Sequence, residues 1–149
     1  MNTRVRAPRL LPCIALLGGL VAAQAEEPTP APGQYQLAVQ LLMPNLEEMR
    51  EITVRDERCL SAGEASGLFP VMRQPALHGC RLVEPRRGAD GIDYVLQCQS
   101  ARVATGSARV TVESDGALLG QLQVKMGGKN MTFSQHSIAR RTGDCTPAG

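Results

Sequence analysis

Five cysteines are the residues in this 149-residue chain whose type and spacing could most readily do chemistry: Cys13, Cys59, Cys80, Cys98 and Cys145. Thiols can bind metal, act as nucleophiles or pair as disulfides. The last four are separated by 21, 18 and 47 residues, with no C-x-x-C among them. That spacing offers no local chelate and argues against zinc. Neither His78 nor His136 stands in a fixed relation to any one cysteine, as a thiol–imidazole nucleophile would require. Disulfides remain, and four cysteines allow three connectivities. The stretch GCRLVEPRRGADGIDYVLQC, from Gly79 to Cys98, selects among them. It reads as a β-hairpin, and with a loop at Arg87 to Gly91 opposed residues have numbers summing to 178. Cys80 then faces Cys98 and Leu82 faces Leu96, within disulfide reach across the hairpin. A loop of another length would shift this by one or two residues, which a bulge can absorb. Cys59 with Cys145 is the pairing left over.

Other chemistry has weaker footing. Met43, Met49, Met72, Met126 and Met131, with His78 and His136, are ligand types that suit Cu(I). They form no M-x-M or M-x-x-M cluster, and methionine fills core gaps well in a chain with two Tyr, two Phe and no Trp. An enzyme site would have to be assembled from dispersed residues such as His136, Glu64 and Asp93. No nucleophile elbow, metalloprotease motif or calcium loop occurs. MGGKNM lacks the strand-to-helix setting of a phosphate loop. Asp90 and Asp93 straddle a turn, and Arg86-Arg87 and Arg140-Arg141 read as solvated strand ends. No cofactor is implied.

The N-terminus sets the compartment. Arg4, Arg6 and Arg9 precede an apolar stretch from Leu10 to about Ala23, followed by Ala23-Gln24-Ala25. Basic head, apolar middle and A-x-A site are the order of a secretory signal, so residues 1–25 are expected to be cleaved. The apolar run is shorter than the ~20 residues a membrane span needs. Cys13 follows Pro12, without the small residue that lipid attachment would want, and leaves with the signal. The arginines are not adjacent, so export as an unfolded chain is expected. Loss of three arginines turns the formal charge from +2 to −1, with 13 basic against 14 acidic residues. A near-neutral chain without stacking aromatics gives no reason to expect nucleic acid or an anionic membrane surface as partner.

The elements that must position these residues are mostly strands. Residues 26–32 form a Pro-rich linker, residues 33–146 one β-rich domain and residues 147–149 a flexible tail. QYQLAVQLLM places Tyr35, Leu37, Val39, Leu41 and Met43 on one face, a strand by its period of two. NLEEM connects it to a second strand with Ile52 and Val54, ending at Cys59. Ser61 to Met72 predicts a short helix, with Glu64 completing a capping box and Pro70 and Pro75 limiting its length. The hairpin follows. Then come Ala108, Val110 and Val112, a Ser114-Asp115-Gly116 turn, a strand with Leu118, Leu122, Val124 and Met126, a GGKN turn and the last strand, MTFSQHSIARR. Gly120 marks a possible bend. The fold class is mainly β: an antiparallel meander of about seven strands, as a curved sheet or partial barrel, with one short helix.

With strands and cysteines placed, the chain resembles the domain-of-unknown-function 3617 family of small exported bacterial proteins. The matching pieces are PGQYQLAV at Pro32–Val39, RCL at Arg58–Leu60, GC at Gly79–Cys80, the lone Cys98 and RRTGDC at Arg140–Cys145. Tyr35 stands where such sequences often show Trp. The resemblance implies a periplasmic β-rich domain with paired cysteines and no assigned activity. The functional expectation is a soluble, non-catalytic periplasmic binding or interaction module. Its partner would be an apolar small ligand held between sheet and helix, or a partner protein.

Overall fold

A computed structural model describes residues 30–43, 51–128 and 131–146. The signal segment 1–25, the start of the linker at 26–29, the connection at 44–50 with Met49, Lys129 and Asn130, and the tail 147–149 lie outside the described residues.

Seven strands form one antiparallel sheet: β1 (Gly33–Leu42), β2 (Glu51–Leu60), β3 (Arg81–Arg87), β4 (Gly91–Gln97), β5 (Ala104–Val112), β6 (Leu118–Met126) and β7 (Met131–Gly143). Their order across the sheet is β2-β1-β7-β6-β5-β4-β3. Strands β3 to β7 are therefore a meander, and the β1–β2 hairpin docks with β1 alongside β7. The sheet is open, with β2 and β3 at its edges.

One face is apolar by alternation. Tyr35, Leu37 and Val39 of β1, Ala139 of β7, Leu118, Leu122 and Val124 of β6, Ala108 and Val110 of β5, and Ile92 and Leu96 of β4 are all buried. A sheet with one such face must be covered, and the β2–β3 connection covers it. This connection is where the structure departs from the predicted helix. Ser61 to Met72 is not α-helical. Instead, three 3-10 turns follow one another at Ala65–Leu68, Pro70–Arg73 and Pro75–Leu77. The prolines are the reason, since each lacks an N–H and disfavours helical angles at the residue before it. Phe69 (φ −120°, ψ 78°) and Gln74 (φ −65°, ψ 145°) both depart from helix for that reason. Half of the expected capping box survives: the Ser61 N–H donates to Glu64 Oε2 at 3.0 Å.

Leu68, Phe69 and Leu77 project from this segment into the core and are fully buried. Gly120 is the complement of Phe69. A Cβ placed there would lie 2.9 Å from Phe69 Cε1, so the glycine makes room for the ring. Burying a phenylalanine side chain contributes on the order of 1.5–3 kcal/mol, a large share in a chain with few aromatics.

The N-terminal edge of the domain is tied down. Pro30 is buried, and the carbonyls of Pro30, Ala31 and Pro32 accept hydrogen bonds from the Gly63 N–H (3.0 Å), the Tyr35 hydroxyl (3.0 Å) and Arg141 Nε (3.1 Å). Thus the last three residues of the Pro-rich stretch are bonded to the β-rich domain. Arg140 and Arg141 are exposed near the end of β7, as expected, and both have partners: Arg140 pairs with Asp115 at 2.7 Å, and Arg141 bonds both Pro32 and Asp144.

Candidate functional site

The 3-10 segment does not cover all of the apolar face. At the end of the sheet formed by the C-terminal half of β1 and the middle of β2, a groove of about 680 Å³ remains. Its walls are Val39 and Leu41 of β1, Met43 just beyond that strand, Val54 of β2, and Pro70 and Val71 of the segment. Val54 is 53% exposed although it lies on the core-facing side of its strand. Such a site falls within the ordinary size range of small-ligand pockets.

Polar groups enter at two places. Gln135 of β7 forms the back of the groove and is fully buried. Its Oε1 accepts from the Val71 N–H at 3.0 Å, while its Nε2 donates to the Leu68 carbonyl at 3.2 Å and to Ser137 Oγ at 2.7 Å. The amide thereby fastens the 3-10 segment to the sheet and fixes one wall. At the rim, Asp56 Oδ2 accepts from Arg58 Nε at 2.8 Å and from Arg73 Nη2 at 3.1 Å. The second ion pair joins β2 to the segment across the groove. Arg58 Nη2 is buried with no hydrogen-bond partner among the described residues. The register of β2 puts Arg55 on the outer face, so two guanidinium groups, those of Arg58 and Arg73, share one carboxylate.

The cysteines fall into two pairs at disulfide distance: Cys59 with Cys145 (Cα–Cα 5.4 Å) and Cys80 with Cys98 (Cα–Cα 4.0 Å). The hairpin register places Leu82 opposite Leu96 and Arg81 opposite Gln97, then shifts by one between Val83 and Arg86. Glu84, at φ 53°, is the bulge that absorbs the shift. The other pair joins the chain just beyond β7 to β2, spanning the end of β1.

The remaining candidates are not gathered. His136 lies on the face of β7 opposite the core, and Asp93 on the same outer side of β4, three strands or about 14 Å away. Asp93 pairs with Arg109 at 3.5 Å, and Glu64 is engaged with Ser61. Met72 and Met126 pack against the core, and Met126 opposes Met131 on the face away from His136. Among the described residues, no group of three or more His, Cys, Asp or Glu could hold a metal. No helix of the described residues is long and apolar enough to cross a membrane.

Two signals for the groove were present in the sequence. In TVRDERCL, the alternation that turns Val54 and Leu60 inward also turns Asp56 and Arg58 inward, an unusual charge pair on a core face. Likewise Gln135 sits where β7 should carry an apolar residue.

Fold and site together define a small open-sheet domain with a capped apolar face, a lateral groove and two cysteine pairs. The chain belongs to the family described as Protein of unknown function (DUF3617), whose model matches residues 30–145. No curated protein and no solved structure matches it.

Proposed function

We propose that the protein is a non-catalytic binding module of the periplasm that holds an apolar small ligand in the groove between β1, β2 and the 3-10 segment. The observation that carries this reading is the incompletely covered stretch of core face at Leu41, Met43 and Val54, backed by a buried amide instead of a packed side chain. Apolar walls supply affinity by removing ligand surface from water, and a few placed polar groups supply orientation. Export is supported by the N-terminal signal pattern, and the two cysteine pairs suit an oxidising compartment.

Nile red, an uncharged apolar dye, tests the site directly. Its fluorescence should rise on binding to the mature protein, and Val71→Asp should abolish the rise, whereas Val95→Asp on the opposite face of the sheet should leave it unchanged. Equal binding by all three proteins would overturn the assignment. Native mass spectrometry of protein recovered from its own compartment would then show what the groove carries.

A further inference from the structure

Among the described residues, the rim of the groove carries more positive than negative charge, and this narrows the ligand. Arg58 and Arg73 share a single carboxylate, Asp56. Asp56 is fully committed: Oδ2 accepts from both Arg58 and Arg73, and Oδ1 accepts from the Glu57 N–H at 3.0 Å. The guanidinium groups are not. Arg73 contributes one Nη to this ion pair, and Arg58 Nη2 has no hydrogen-bond partner among the described residues despite its burial.

We propose that the ligand is a single-chain amphiphile with an anionic head. Its tail lies along Val39, Leu41 and Val71, and its head is held at the rim by Arg73, which releases Asp56 to take it. This rests on the apolar-ligand reading above and adds the chemistry of the head. The exchange is feasible because the two arginines differ in freedom: the side chain of Arg73 is 64% exposed and that of Arg58 15%. Arg58 therefore stays with Asp56, keeping that carboxylate paired, while Arg73 swings to the ligand. A cationic head would meet two guanidinium groups and be repelled; a neutral head brings no charge to draw Arg73 away from Asp56. Carboxylate and phosphate heads share the required chemistry, since both accept a guanidinium fork.

Calorimetric titration of the mature protein with dodecanoate, dodecyl phosphate, dodecanol and dodecyltrimethylammonium, below their micelle-forming concentrations, separates the possibilities. One or both anions should bind roughly tenfold or more tightly than dodecanol, the ratio expected for a charge-assisted hydrogen bond. The anion bound more tightly identifies the head as carboxylate or phosphate. Arg73→Gln should erase this preference, bringing both anions to the affinity that the same variant shows for dodecanol. Equal binding of dodecanol and both anions would overturn the anionic head and leave the apolar groove standing. Binding of none would overturn both. A preference that survives Arg73→Gln would overturn the role of Arg73.

Discussion

At the residue scale, single atoms decide how the segment meets the sheet. The 2.9 Å approach between a Cβ at position 120 and the ring of Phe69 makes Gly120→Ala an overpacking change. It should cost about 1–3 kcal/mol in urea denaturation, and Phe69→Leu should recover part of that loss in the double variant. Gln135→Met preserves bulk but leaves the Val71 N–H and Leu68 carbonyl without the partner they now share. A loss of about 2–4 kcal/mol is expected, with faster amide exchange at Val71 as the local signature. Asp115 offers a test by pH. The Ala117 N–H, followed by Arg140, holds its carboxyl below the usual carboxylate range. A depressed pKa means stability that is present above the ordinary carboxylate range and lost as pH falls through the folded value. An NMR titration should find Asp115 ionised below its usual range, and Arg140→Ala should raise its midpoint while the Ala117 bond keeps part of the depression.

At the scale of elements, the strands were legible because a period of two is a strong signal, and each alternating face reads the same in the structure. The hairpin register was legible to within one residue, since Cys80, Leu82, Leu96 and Cys98 share a face and the bulge at Glu84 falls beyond them. The Ser61–Met72 segment was not legible as 3-10 turns. Its capping box is a local signal for a helix, and it was outweighed by Pro70, Pro75 and the pull of Phe69 into the gap over Gly120. The groove was legible only in part, because Arg73 reaches Asp56 through the tertiary fold and no sequence spacing announces it. Elements also rank the two cysteine pairs, whose sequence separations are 86 and 18. In the loop-entropy account these contribute about 4.5 and about 3 kcal/mol. Replacing Cys59 and Cys145 together by serine should lower the melting temperature more than replacing Cys80 and Cys98 together, and equal losses would contradict the ranking.

At the scale of the molecule, the two edges of the sheet are guarded differently. Strand β3 is broken by the bulge at Glu84 and carries Pro85, both of which discourage pairing with another chain. Strand β2 pairs regularly with β1 over ten residues and relies on its charged run, Arg55, Asp56, Glu57 and Arg58. Arg55→Val with Glu57→Val should therefore promote concentration-dependent association, visible by light scattering, while the same exchange at Arg86 and Arg87 should do so far less. The sheet order has a consequence for the time course of synthesis. Strand β1 acquires its second neighbour only when residues 134–143 exist, since Leu42 opposes Ser134 and Gln34 opposes Gly143. A chain delivered from its N-terminus holds β1 and β2 as a lone, marginal hairpin until then. During that interval Cys59 is already present while Cys145 is not, and Cys80 is the first thiol to arrive after it. Oxidation that outruns delivery would capture Cys59 with the wrong neighbour, so correct maturation depends on late oxidation or on an isomerase that reopens the early bond.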